Sequence, residues 1–166
     1  MGTPALRRND VKGKLKKPRK RIRIARAALT KSEQMARVHS RDTKPEILLR
    51  KALSARGVRY RLHRRDLPGK PDVYIGRLRL AVFVNGCFWH GHDCRRGKMP
   101  SSNVAYWHAK IEKNKARDDR TKTALDALGI ESLILWTCCV GRFDQESENI
   151  TRRYNRARSS LGDRSE

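Results

Sequence analysis

Val82-Phe83-Val84-Asn85-Gly86-Cys87-Phe88-Trp89-His90-Gly91-His92-Asp93-Cys94 decides how this chain is read. Its first residues close an apolar run, Leu80-Ala81-Val82-Phe83-Val84, with no polar alternation. Such a run suits a strand covered on both faces, and that requires helices above and below a sheet. Past Asn85 the character changes at once. Two cysteines, two histidines and an adjacent aromatic pair follow within ten residues. The expectation is a buried strand that ends at Asn85 and delivers metal ligands, a proton-handling histidine and flat rings to one place.

The surrounding pattern supplies the rest of the sheet and its helices. Thr43-Lys44-Pro45-Glu46 has the form of a capping box with Pro in the first turn, and the helix runs to Arg56 and stops at Gly57. Ile47, Leu48, Lys51, Ala52 and Ala55 are expected on its apolar side. Val58 to Leu62 alternates as a strand. Asp72 to Ile75, a tight Gly76-Arg77 turn and Leu78 to Val84 read as a hairpin. A long helix is expected from Val104, capped by Asn103 or Ser102, to Leu128, with Trp107, Ile111, Ala124, Leu125 and Leu128 inward. Glu131 to Trp136 reads as another buried strand, and Asp144 to Arg158 as a basic helix. The order predicts an α/β sandwich around a small mixed sheet. An earlier capping pattern, Thr30-Lys31-Ser32-Glu33, opens a short helix carrying Met35.

The charge is as informative as the pattern. The 166 residues hold 40 Lys and Arg against 17 Asp and Glu, a net charge of +23. A field of that sign and size is the footprint of a polyanion binder, and nucleic acid is the expected partner. Eleven of the basic residues fall between Met1 and Arg26 with a single acid, Asp10, so residues 1–28 read as a disordered basic tail. Residues 29–158 then form the folded domain, and 159–166 a frayed end. No apolar run approaches the roughly 20 residues of a membrane span, and no signal-peptide core follows the start.

Four cysteines, Cys87, Cys94, Cys138 and Cys139, are too few for a disulfide framework in a chain of this length. Cys87, His92 and Cys94 are spaced as three zinc ligands from one loop, and the fourth comes from the downstream pair just past the second buried strand. Cys138 is its natural member, with Cys139 spare. His90 is then free to accept a proton; the competing assignment makes His90 the ligand and leaves His92 spare. Asp72, at a strand start beside the end of the next strand, is placed to hold Mg²⁺, or is simply a turn aspartate after Pro-Gly-Lys-Pro. Glu46 is accounted for by the capping box alone. Phe88, Trp89 and Trp107 lie beside basic residues such as Lys110 and Lys113, where rings stack on or wedge between bases. Phe88 and Trp89, adjacent in an extended loop, are expected to point apart.

These residues resemble the very short patch repair DNA mismatch endonucleases of bacteria. The likeness spans roughly two thirds of the chain, from about Ser32 to about Cys138. Arg41-Asp42-Thr43 with Glu46, Leu67-Pro68-Gly69-Lys70-Pro71-Asp72, Gly86-Cys87-Phe88-Trp89-His90 with His92 and Cys94, and Trp107 with Lys110-Ile111 and Lys113-Asn114 carry it. The resemblance implies a restriction-endonuclease-like three-layer sandwich with a central mixed sheet and a structural zinc site. It implies a Mg²⁺-dependent nick in one strand of double-stranded DNA at a T:G mismatch left by deamination of 5-methylcytosine. Mismatch-repair proteins and a cognate cytosine methyltransferase would be its associates, and a monomer in the bacterial cytoplasm, at the nucleoid, its setting.

Carried onto this sequence, Asp72 and the main-chain carbonyl of Val84 would hold Mg²⁺, His90 would activate the attacking water and Glu46 would orient water at the metal. Cys87, His92, Cys94 and Cys138 would hold Zn²⁺. Phe88, Trp89 and Trp107 would wedge the duplex open, with Met35 reaching the minor groove. The best-known family pattern has Thr-His where this chain has Val84-Asn85, so a hydroxyl and a proton carrier are missing. No (Asp/Glu)-x-Lys follows Asp72 on the next strand, as is expected within the family. A zinc-stabilised DNA-binding module of little or no activity, and a nuclease of different site specificity, are the alternatives.

Overall fold

The computed structural model describes residues 41–162. The basic tail over 1–28, the helix start at Thr30–Glu33 and Met35 lie outside the described residues.

The first described helix, α1 (Lys44–Ala55), starts as its capping box dictates, with Pro45 in the first turn and Glu46 reaching back to the cap. It ends at Gly57, whose φ of +72° reverses the chain, and Val58 returns its N–H to the carbonyl of Leu53. The buried stripe is Glu46, Leu49 and Leu53, not the expected Ile47/Leu48 side. Ile47 and Leu48 are 39% and 50% exposed. The stripe that faces the core includes an acid, and hydropathy alone does not place an acid there. Leu49 and Leu53 are fully buried, each contributing about 1.5–3 kcal/mol of apolar burial.

Four strands form one sheet in the order β1-β2-β3-β4. They are β1 (Arg61–Leu62), β2 (Val73–Ile75), β3 (Leu80–Asn85) and β4 (Glu131–Trp136). β1 is shorter than the alternation implied; Val58 has turned into the core instead. β1 and β2, and β2 and β3, are antiparallel, while β3 and β4 are parallel with Val84 opposite Leu135 and Asn85 opposite Trp136. That parallel register brings the segment after Trp136 beside the segment after Asn85.

The β2–β3 link is not a tight two-residue turn. Gly76–Leu78 forms a 3₁₀ turn and Arg79 follows in the left-handed region at φ +47°. The strained residue has compensation: its guanidinium donates to the carbonyls of Leu128 and Gly129, the unpaired end of the long helix. That helix, α2 (Val104–Ala127), is followed after β4 by α3 (Phe143–Gly162), which runs four residues past the expected end at Arg158.

The sheet is covered on both faces. Leu80 and Val82 face one cluster with Leu49, Leu53, Ile150 and Tyr154, which places α1 and α3 on that side. Ala81 and Leu125 define the second cluster, with Phe83 against it, which places α2 on the other side. The architecture is mixed α/β with a four-stranded mixed sheet. No helix among the described residues is long and apolar enough to cross a membrane.

Candidate active site and metal centre

Two neighbouring residues at the end of β3 organise the site. Val84 donates its backbone N–H to Asp72 Oδ2 at 2.8 Å. The side-chain amide of Asn85, which is buried, lies 3.3 Å from His90 Nδ1. A carboxylate from the start of β2 and an imidazole from the loop after β3 are therefore both tied to one strand end.

Asp72 is half-buried. Burial pushes its carboxyl above the usual range; the Val84 N–H pulls it back, and the nearby Glu46 carboxylate pushes it up again. A desolvated carboxylate facing another acid is short of positive charge, and a hard divalent cation supplies it. The donor set thus fits Mg²⁺, with Asp72 and the Val84 position beside it. Glu46 is 3% exposed and accepts hydrogen bonds from the Asp42 N–H (3.0 Å), the Thr43 hydroxyl (2.6 Å) and Arg50 (3.2 Å). It caps α1 and sits within electrostatic range of Asp72 at the same time.

His90 meets a partner that spacing did not reveal. Asp118 Oδ2, on α2, lies 2.5 Å from His90 Nδ1. A carboxylate only accepts hydrogen bonds, so Nδ1 carries a proton; in the neutral imidazole the lone pair is then on Nε2. The Asn85 amide group nearest that N–H then acts through its oxygen, as a flip of the amide allows. Asp118 fixes the tautomer a general base needs.

The inward side of α2 explains the omission. Trp107, Ile111, Asn114, Asp118, Thr121, Ala124 and Leu125 are its less exposed positions, at helical spacing, whereas the expected Leu128 is 48% exposed. Three of the seven, Asn114, Asp118 and Thr121, are polar, and a hydropathy stripe passes over them. Asn114 donates to the Trp89 carbonyl at 2.8 Å. Thr121 packs against Gly69, where φ is +71° and any side chain would collide with it. The helix carries a polar centre because three loop features dock there.

Phe88 and Trp89 do not point apart. The chain is turned, not extended: Trp89 and His90 both return N–H groups to the Gly86 carbonyl. The Phe88 ring lies 5.2 Å from both Trp89 and Trp107, edge to face, and Trp89 lies 6.1 Å from Trp107. All three rings are half-buried. Lys110 and Lys113 line one groove with Asn114, Arg117 and Arg120, so a ring cluster and a cationic surface share α2.

Cys87, His92, Cys94 and Cys138 place four donor atoms within 4.8 Å of one another. Tetrahedral zinc with thiolate bonds near 2.3 Å needs donors about 3.8 Å apart, so the set fits Zn²⁺. His92 stacks on Trp136 at 4.2 Å and 16°, with its Nδ1 3.5 Å from Cys138 Sγ. Cys139 Sγ lies 3.5 Å from Cys138 Sγ but is not one of the four. Burial opposes ionisation of Cys87, yet hydrogen bonds from Thr137, Cys138 and Cys94 outweigh it and hold the thiol at about 6. Cys138 is pushed the other way, by desolvation and by thiol neighbours. His92 falls among the sulfurs and His90 beside Asp118.

The family model described as DNA mismatch endonuclease Vsr matches residues 26–96. The type II nicking enzyme V.XorIIP of Xanthomonas oryzae pv. oryzae is 50% identical over 104 residues, covering 63% of this chain and 76% of that protein. The type II nicking enzyme V.NmeAIP of Neisseria meningitidis is 42% identical over 104 residues, covering 63% and 74%. The DNA mismatch endonuclease Vsr of Escherichia coli is 38% identical over 125 residues, covering 75% and 80%. On these similarities, with the sheet and the paired clusters at the end of β3, the chain belongs to the Vsr family of DNA mismatch endonucleases.

Proposed function

We propose that the chain is a DNA endonuclease of restriction-endonuclease-like fold that nicks one strand at a T:G mismatch, with Mg²⁺ at Asp72 and structural Zn²⁺ at Cys87, His92, Cys94 and Cys138. One observation carries this reading: Val84 and Asn85, adjacent on β3, hold Asp72 at 2.8 Å and meet His90 at 3.3 Å. A metal-binding carboxylate and an oriented base thus converge where a phosphate can meet both.

Mg²⁺, when bound, supplies charge neutralisation at the scissile phosphate. Asp72 offers the carboxylate for it, with the Val84 carbonyl beside it. His90 Nε2 takes the proton from the attacking water, and Asp118 steadies the imidazolium that results. Glu46, locked by Thr43 and Arg50, holds water on the metal side. Phe88, Trp89 and Trp107 enter the duplex as a rigid cluster, and Lys110 and Lys113 hold the backbone. Unstacking costs a few kcal/mol per step and least at a mismatch, and that difference selects the site. Met35, outside the described residues, is proposed as a further contact in the minor groove. Such an enzyme works as a cytoplasmic monomer at the nucleoid, beside mismatch-repair proteins and a cytosine methyltransferase.

The 50% and 42% matches to type II nicking enzymes favour a second reading, in which flanking sequence sets the target as much as the mismatch does. One experiment separates the two. End-labelled duplexes carrying T:G or T:A in a panel of flanking sequences are incubated with protein and Mg²⁺, and the nicks are mapped. Nicking of T:G in most contexts and not of T:A supports the first reading. Nicking confined to one context supports the second. Binding without a nick anywhere in the panel, by active-folded protein, contradicts both and leaves a DNA-binding module.

A further inference from the structure

His63 takes no part in the chemistry described above, yet four observations converge on it. It follows β1 in the left-handed region, at φ +46°, where a non-glycine residue is strained. Its Nε2 is buried without a hydrogen-bond partner among the described residues. An imidazole nitrogen lies within 4.8 Å of carboxylate oxygens of both Asp42 and Glu46. Its charge also reaches Asp72 and Asp42, lowering the pKa of each beside the larger influences of burial on the first and Arg50 on the second.

The cluster of Asp42, Glu46 and His63 has the donors of a cation site, but its cation is already present. Arg50 binds Asp42 at 2.7 Å and Glu46 at 3.2 Å. The imidazole is surplus to that ion pair. A histidine kept for packing would have its buried nitrogen satisfied, because an unpaired buried polar atom costs free energy. Asp42 is left-handed as well, at φ +54°, so two strained residues flank one buried acid. Strain and an unpaired group gathered beside a reaction centre are the marks of preorganisation.

We propose that His63 is a positioning residue of the reaction centre, fixing the Glu46 and Asp72 carboxylates in the arrangement that accepts Mg²⁺ and substrate. The proposal rests on the reading of Asp72 as the metal-binding carboxylate. It assigns a role to the connection between β1 and β2, which then joins α1, β2, the β3 loop and α2 in building the centre.

The test uses the full chain and two variants. His63→Asn tolerates the left-handed backbone and removes Nε2. His63→Gln places an amide near the Nε2 position. Single-turnover nicking, DNA affinity, Mn²⁺ binding to the free protein by calorimetry and the thermal midpoint are measured. The proposal expects His63→Asn to nick at least tenfold more slowly, with DNA affinity within twofold of wild type. Its Mn²⁺ affinity falls severalfold and its thermal midpoint is unchanged or higher. His63→Gln recovers most of the rate. A His63→Asn variant that nicks at the wild-type rate overturns the proposal, as does one whose rate falls only in step with its thermal midpoint. Asp72→Ala is the control for the underlying reading: if that variant nicks as wild type does, the placement of the metal is wrong. If Asp72→Ala is dead and His63→Asn is fully active, only the role of His63 is.

Discussion

Two clusters flank the end of β3, and they are built on opposite principles. Cys87, His92, Cys94 and Cys138 face one another within 4.8 Å, four donors that would close a tetrahedron around one metal ion and leave no position for substrate. Asp72, Glu46 and His90 are hard or proton-handling groups. Asp72 takes a hydrogen bond from Val84 and His90 meets Asp118, both half-buried, while Glu46, buried, accepts from Asp42, Thr43 and Arg50. The closed cluster has the economy of a structural staple; the open one keeps an uncompensated carboxylate and an imidazole lone pair. The staple fastens the β3 loop to the segment after β4, and the loop it fastens carries His90. Structure and chemistry are thus separated by donor type within a few residues.

Breaking the staple should give the largest effect. Cys87→Ser removes a buried ligand, and at a cost of about 4 kcal/mol or more the thermal midpoint falls by about 10 °C or more. Calorimetry and metal content check it: zinc is expected near one equivalent in wild type and well below it in the variant. Nicking should fail with the fold, not before it.

Damage confined to the open cluster should spare the fold. Asp118→Asn keeps shape but offers an amide to His90 Nδ1, so the tautomer is no longer fixed. The nicking rate is expected to drop about 10²–10⁴-fold, with an unchanged thermal midpoint and unchanged DNA affinity. A midpoint that falls with the rate would move Asp118 to the structural side of the comparison.

The ring cluster and the basic groove are outside both centres and should show smaller effects. Trp107→Ala removes a ring that touches Phe88 and Tyr106. It is expected to lower affinity for a T:G duplex by about 1–3 kcal/mol, and for a T:A duplex by less. Lys113→Ala should weaken binding to both duplexes alike and reduce the salt slope of log affinity by about 1. Titrations at several salt concentrations distinguish them.

What the sequence made legible follows from the range of the interactions. Leu80 to Val84, continuously apolar, announced a strand covered on both faces, and Leu80, Ala81 and Val82 are fully buried. Cys87, His92 and Cys94 lie in one loop, so local spacing brought three donors together. The parallel pairing of β3 and β4 put Cys138 beside them because both segments follow strand ends. Asp118 and His63 were illegible for the complementary reason. Asp118 sits 28 residues from His90, on a helix whose inward stripe is partly polar, so no apolar period points to it. His63 is placed by a left-handed backbone, which a histidine does not advertise. On α1 the buried stripe contains Glu46, and reading the helix by hydropathy chose the wrong face. Adjacency of Phe88 and Trp89 suggests an extended loop, but the Gly86 carbonyl accepts from Trp89 and His90 and closes a turn there. By sequence the Val84-Asn85 departure loses a hydroxyl and a proton carrier; in the structure the Asn85 side chain lies 3.3 Å from His90 Nδ1.

If Asp72 serves chemistry at the expense of the fold, the Asp72→Asn variant separates the two. Burial raises the pKa of Asp72 in the folded chain above the usual carboxylate range. Its neutral form therefore favours folding. That contribution is full below the unfolded pKa and is lost as pH rises through the folded pKa, so ionised Asp72 costs stability at neutral pH. Nicking of a T:G duplex with Mg²⁺ and the thermal midpoint are measured together from pH 3.5 to 8. Asp72→Asn is expected to nick at least about 10³-fold more slowly, on the order expected for loss of a metal ligand. Its midpoint should equal or exceed that of wild type at neutral pH, with the difference shrinking toward the acid end. A variant that nicks at the wild-type rate, or one whose midpoint collapses at neutral pH, would contradict it.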